Sequence, residues 1–281
     1  MGTLSRSWDL VLQSFRILKS DKELMWLPVV SAISCIVATV IIFGAGALMV
    51  LPLGSMPHDP VAQKLLYQQM SPFLLLFYIA TYGITIYFNV ALVSIASNRL
   101  AGGQATLNDG LQAAWRRKWR ILQWALVAAT VGILLRMLER RASFIGRIVV
   151  GLIGFAWTLA SFFVVPLLAA EDIGPMEALY RSAEIFRNTW GEEVVGGFSF
   201  GLIFFLLALP GALLPLLGAQ YGTNAMLAGL ALAILYWVLL SVVSSASQGI
   251  FVAALYRYAT TQQISGGFSG NDLTGAWQPK S

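Results

Sequence analysis

The chain has 281 residues, of which 58% are hydrophobic and 11% charged, with a formal net charge of +5. A soluble domain carries about 25% charged residues, so this composition excludes an ordinary water-soluble globule and points to helices whose outward faces meet lipid. A single cysteine, Cys35, and a single histidine, His58, exclude disulfides and Cys/His metal clusters, and no cofactor is expected.

In Leu4–Lys19 the apolar residues Leu4, Trp8, Leu12, Phe15 and Leu18 recur at helical spacing, with Arg6, Asp9, Gln13, Arg16 and Lys19 elsewhere. That pattern predicts an amphipathic helix lying in the membrane interface, with Trp8 and Phe15 as anchors. The uncharged stretch Leu24–Leu53 follows. It is far longer than the h-region of about 7–15 residues in a signal peptide, so it reads as a first span. The second, Phe73–Ser97, carries Thr81, Thr85 and Asn89 every four residues, a polar line on one helix face.

Leu107–Arg120 repeats the amphipathic pattern, with Trp115 as the boundary residue. The uncharged run Ile121–Leu135 comes next. Its fifteen residues give about 22 Å of helix, short of a hydrocarbon core of about 30 Å. Four arginines follow it: Arg136, Arg140, Arg141 and Arg147. Arg136 and Arg140 are one helical turn apart and are expected at or below head-group level, where guanidinium groups match lipid phosphate. Snorkelling to water needs no ligand and is the simpler alternative.

Ile148–Ala170 is the fourth apolar stretch, and a third amphipathic segment, Pro175–Trp190, brings Phe186 and Trp190 as anchors. Acidic residues gather around it (Glu171, Asp172, Glu177, Glu184, Glu192 and Glu193); Glu192 and Glu193 are expected at a helix N-terminus, and a metal or catalytic site is not expected. Val194–Leu217 and Ala225–Leu255 complete the set. The fifth opens with Gly197 and Gly201, a spacing that permits helix dimerisation. The sixth crowds Ser241, Ser244, Ser245 and Gln248 on one side. Pro28, Pro166, Pro210 and Pro215 mark expected kinks.

These elements predict an all-α polytopic membrane bundle with six transmembrane helices and three interfacial helices. Residues 1–259 form a single domain of three helical-hairpin pseudo-repeats, at about 4–100, 105–172 and 175–258. Residues 260–281 form a flexible polar tail. Six spans with both termini in the cytoplasm place thirteen of the 18 Lys and Arg residues inside, leaving Lys64 and the four-arginine cluster outside. A re-entrant Ile121–Leu135 gives the same bias, so charge alone does not choose. The preserved repeat and the uncharged connector Gly218–Asn224 favour six.

The polar faces Thr81/Thr85/Asn89 and Ser241/Ser245/Gln248 allow a groove for a solute or lipid head group, or interhelical hydrogen bonds alone. No phosphate-binding loop is present, and nucleic acid is not an expected partner.

The stretch Pro166-Leu-Leu-Ala-Ala-Glu-Asp-Ile-Gly-Pro-Met-Glu-Ala-Leu-Tyr-Arg-Ser-Ala, with Thr189-Trp-Gly-Glu after it, resembles an uncharacterised family of prokaryotic six-helix membrane proteins. It is distantly similar to the membrane domains fused to some glycerophosphodiester phosphodiesterases. The opening Ser-Arg-Ser-Trp8, Ser14-Phe15, Lys19, Leu24 and Pro28 fit the first family too. The resemblance implies six spans in a prokaryotic plasma membrane. It implies no enzyme activity, since the catalytic domain of those phosphodiesterases is absent from the sequence. The expectation is a non-enzymatic scaffold or lipid-interacting protein, partnered by membrane lipids and by a second copy or another membrane protein. The alternative is a channel or transporter for a small solute or lipid.

Overall fold

The computed structural model describes residue 18 and residues 21–50, 59–190 and 199–261. Helices form wherever apolar runs leave the backbone no water to bond. A 3-10 turn, Lys22–Met25, leads into α1 (Trp26–Val50), followed by α2 (Pro60–Leu100), α3 (Leu107–Arg116), α4 (Lys118–Arg141) and α5 (Phe144–Ala160). Next come α6 (Val164–Ala170), α7 (Pro175–Trp190), α8 (Ser199–Ala219) and α9 (Thr223–Thr261). No strand occurs among the described residues.

Five stretches, Lys22–Met49, Gln68–Leu100, Lys118–Arg141, Phe144–Ala170 and Thr223–Thr261, are long and apolar enough to cross a membrane, and Phe204–Ala219 is a shorter apolar helix. The molecule is an all-α membrane protein. The stretch expected to be short belongs to a longer helix. α4 runs unbroken for 24 residues, about 36 Å, because Lys118, Trp119 and Arg120 at one end and Arg136–Arg141 at the other continue the helix beyond the apolar run.

α2 is the central element and packs against α1, α3, α4, α6 and α9. The buried core joins Val90–Val93 and Ile95 of α2 to Ile121, Trp124 and Ala125 of α4, Val164 and Leu167 of α6, and Ile250–Leu255 of α9. All of these lie at one end of the bundle, called inner as a name only, without reference to a side of the membrane. Toward the opposite, outer end apolar side chains stand open: Leu48 is 85% exposed and Phe144 76%. Such a surface is stable only if lipid covers it.

Two proline sites show how the chain keeps its backbone satisfied. Pro72 lies inside α2 and has no N–H to give the carbonyl of Gln68. The hydroxyl of Ser71 donates to that carbonyl instead, at 2.8 Å. The helix therefore starts at Pro60, well before the apolar run. Pro166 acts differently. The chain breaks at Ser161–Phe163 and restarts as α6, with Pro166 in the first turn, where a missing donor costs nothing. Pro210 and Pro215 sit inside α8. Just before Pro210, Tyr236 donates to the carbonyl of Leu207 and Trp237 Nε1 to that of Ala208 at 2.9 Å, clasping α8 to α9.

α3 starts on a capping box. Thr106 Oγ1 accepts from the amide of Asp109 at 3.3 Å, and the Asp109 carboxylate accepts from the amide of Thr106 at 2.8 Å. The Thr106 amide and hydroxyl hold that carboxyl below the usual aspartate range. A depressed folded-state pKa makes the contribution complete above the unfolded-state value and removes it as the pH falls through the folded one. Hydrogen exchange in the first turn of α3, corrected for intrinsic rates, will therefore speed up on acidification through that range. Asp109→Asn will make the corrected rate independent of pH there.

Candidate functional site

The charged groups divide sharply between the two ends. At the inner end four arginines are engaged with acidic side chains or carbonyls, while Arg116 bonds Gln112 at 3.2 Å and the buried Nε of Arg257 has no hydrogen-bond partner among the described residues. Arg99 pairs with Asp21 and, at 3.5 Å, with Glu23, and donates to the carbonyl of Ala105 at 2.8 Å. Arg117 donates to the carbonyls of Glu171 and Ala170 at 3.3 and 3.1 Å. Arg120 pairs with Asp172 at 3.1 Å and Arg181 with Glu171. The acidic residues of the Glu171-Asp172 connection therefore fasten α7 and the end of α6 onto α4. Among the described residues, no group of three or more His, Cys, Asp or Glu could hold a metal ion.

At the outer end the pattern reverses. Arg136, Arg140, Arg141 and Arg147 are exposed, and no acidic side chain among the described residues lies within ion-pair distance of them. Arg136 Nη1 donates to the hydroxyl of Tyr78 on α2 at 2.6 Å, and its guanidinium carbon lies 5.4 Å from the ring centroid. These contacts fix the side chain without neutralising it.

Arg136 and Arg140 stand at one end of a cleft between α2 and α4. It holds about 320 Å³ and is lined by Leu74, Leu75, Tyr78 and Tyr82 on one wall and by Ala129, Gly132, Ile133 and Met137 on the other. A second cleft of about 420 Å³ continues inward, between Thr81, Tyr82, Thr85 and Ile86 of α2, Trp124 and Ala128 of α4, and Trp157 and Ser161 at the end of α5. Tyr82 lines both. Trp124 and Trp157 stack at 5.6 Å with an interplanar angle of 17°. The space exists because α4 turns small residues (Ala128, Ala129, Gly132) toward α2 at helical spacing.

The structure brings Arg136 and Arg140 to this cleft, with Thr81 and Thr85 deeper in it; Arg141 and Arg147 lie outside its lining. Asn89, next on the line of Thr81 and Thr85, is half-buried beside the packed Val90–Val93. Ser241 and Gln248 are exposed and Ser245 half-buried on α9, away from both clefts. The buried serines are Ser182 and Ser247. Two of the hydroxyls in the cleft point back to their own helices: Thr81 donates to the Phe77 carbonyl at 2.7 Å and Ser161 to that of Trp157 at 2.8 Å. Cys35 of α1 sits 3.8 Å from Thr85 Oγ1.

Of the expected boundary aromatics, Trp115 is 60% exposed, with the Lys118 ammonium 4.0 Å above its ring. Phe186 turns inward onto Phe162 and Phe163, at 6.0 and 6.4 Å between centroids. Trp190 ends α7; its side chain lies outside the described ones, as do Trp8, Phe15, His58 and Gly197. Tyr78, the partner of Arg136, has no sequence signal. The signs of the cleft in the sequence are the small-residue stripe on α4 and the Thr81/Thr85 period on α2.

A family signature of unknown function, DUF6159, matches residues 69–267. The chain belongs to this family. The matched segment contains both walls of the cleft and the Arg120–Asp172 and Arg181–Glu171 ion pairs. No curated protein and no solved structure matches the chain.

Proposed function

We propose that this member of DUF6159 is a non-enzymatic, lipid-interacting protein of a prokaryotic plasma membrane that holds an anionic lipid phosphate on Arg136 and Arg140. It crosses the membrane six times with both termini in the cytoplasm, and α3 and α7 lie along the cytoplasmic interface. The observation that carries the reading is the contrast in arginine pairing. The inner end matches Arg99, Arg117, Arg120 and Arg181 with carboxylates and carbonyls. The outer end leaves four without a carboxylate partner among the described residues and presets one of them on Tyr78 at the mouth of an apolar cleft. A phosphate supplies the missing acceptors, and charge-assisted hydrogen bonds are roughly twice as strong as neutral ones. The back-bonded hydroxyls of Thr81 and Ser161 favour a lipid over a hydrated solute, which would need free donors along its path.

Native mass spectrometry tests the reading. Wild-type protein from membranes containing phosphatidylglycerol will retain that lipid, and a variant with Arg136, Arg140, Arg141 and Arg147 all changed to Gln will retain several-fold less. Equal retention by the two would leave snorkelling as the whole role of the cluster. The topology has its own test: a reporter active only in the cytoplasm, fused after Ser281, will be active. A silent fusion at normal expression would exclude six spans.

A further inference from the structure

The two clefts meet at Tyr82, which lines both, and end to end they have the depth of a single lipid leaflet. From Arg136 to Trp124 along α4 is twelve residues, about 18 Å, against about 15 Å for half of a 30 Å hydrocarbon core. The free volume of each cleft lies within the range of about 300–1,000 Å³ usual for ligand pockets. One end carries two cations and a tyrosine hydroxyl, the middle is apolar and floored by Ala129 and Gly132, and the far end holds Trp124 and Trp157 beside Thr81, Thr85 and Ser161. Positive charge over an apolar slot of leaflet depth is complementary to one class of molecule, a phosphate-bearing lipid lying along the protein.

We infer that the crevice between α2 and α4 is an acyl-chain seat: a glycerophospholipid with a net negative head group places its phosphate on Arg136 and Arg140 and one acyl chain along Gly132 and Ala129 to the Trp124–Trp157 pair. This rests on the anionic-lipid reading above and adds to it that the chain, as well as the head group, is bound. A lipid held by charge alone would exchange with any phosphate ester, inorganic phosphate included. One held in the crevice is selected by its chain as well.

The test fills the slot and leaves the arginines in place. Full-length protein in neutral detergent is offered phosphatidylglycerol or inorganic phosphate, and bound species are read by native mass spectrometry. The proteins compared are wild type, Ala129→Leu/Gly132→Leu and Arg136→Gln/Arg140→Gln. Phosphatidylglycerol binding is expected to fall about tenfold in the filled variant, the factor that losing the burial of two methylenes produces. It falls in the arginine variant as well, and inorganic phosphate leaves no adduct on any of the three. Full binding by the filled variant with loss in the arginine variant would overturn the acyl seat and leave the head-group reading standing. Undiminished binding by both would overturn the two together, and phosphate adducts equal to lipid adducts would make the site one for free anion.

A second measurement needs no slot-filling variant. Wild-type protein goes into phosphatidylcholine vesicles carrying either phosphatidylglycerol or phosphatidylcholine brominated on the acyl chain. Brominated phosphatidylglycerol is expected to quench tryptophan emission more strongly at equal mole fraction, and Trp157→Phe to shrink the difference. Equal quenching by the two lipids would overturn the inference.

Discussion

Changing Gly229 to Leu will separate α8 from α9 and produce the largest loss of stability among single substitutions in the outer half of the molecule. A Cβ at Gly229 would lie 2.5 Å from the carbonyl oxygen of Leu214 and 3.1 Å from the Cα of Pro215. Both are backbone atoms of a helix and cannot rotate away, so the two helices must part. Overpacking of this kind costs about 1–3 kcal/mol for small additions and more where backbone must move. α8 has its principal packing partner in α9, and the clasp from Tyr236 and Trp237 to the carbonyls before Pro210 depends on the same approach. Gly229→Ala will lower the temperature at which the purified protein loses its monodisperse gel-filtration peak, and Gly229→Leu will lower it further. Gly151→Ala on α5, where a Cβ meets nothing within 4 Å, is the control; it will be neutral or slightly stabilising, since Ala is the better helix former by about 1 kcal/mol. An unchanged transition in Gly229→Leu would show that the hairpin is not closed at this point.

How far the sequence reveals this architecture depends on how local each determinant is. The apolar runs reveal themselves, because a charge-free stretch of twenty residues has few alternatives to a spanning helix. The stripe Leu107, Leu111, Ala114 and the Thr106/Asp109 pair give α3 its face and its start in the same way. Proline positions are read less well, since compensation is side-chain chemistry. Ser71 covers for Pro72, and the helix runs through a residue that local rules take as a boundary. Phe186 shows the limit of stripe reasoning: spacing identifies the apolar face, but whether that face meets lipid or the Phe162–Phe163 pair depends on where α7 docks. The cleft is the least legible feature. It requires α2 and α4 to pair with Tyr78 opposite Arg136, 58 residues apart in sequence. The four-residue period of Thr81 and Thr85 locates part of its wall, and the same period carries on to Asn89, where the helices have already closed.

The second large effect is expected at Ser182, where a fully buried hydroxyl of α7 accepts from the amide of Phe163 at 2.9 Å. That amide lies in the break between α5 and α6, where helical bonding is interrupted and the chain depends on side chains for acceptors. Its surroundings are Phe162, Phe186, Val164 and Leu167, which offer no polar substitute. Ser182→Ala deletes the acceptor that α7 supplies, and a buried donor left unsatisfied costs about 1–3 kcal/mol. The consequence is not confined to one bond. Arg181, the preceding residue, pairs with Glu171, whose carbonyl is held by Arg117. A shift of α7 therefore loosens the fastening of α6 to α4 at the inner end. Thermal inactivation of Ser182→Ala in detergent will come earlier than that of wild type, and protease will cut first in the Ala170–Pro175 connection. Ser71→Ala will have the smaller effect, because Ser71 is exposed at the outer part of α2, where its carbonyl partner can turn to water or a lipid head group. Equal transitions for Ser182→Ala and wild type would mean that the break finds its acceptor elsewhere and that the motif around Glu171 holds the inner end through its ion pairs alone.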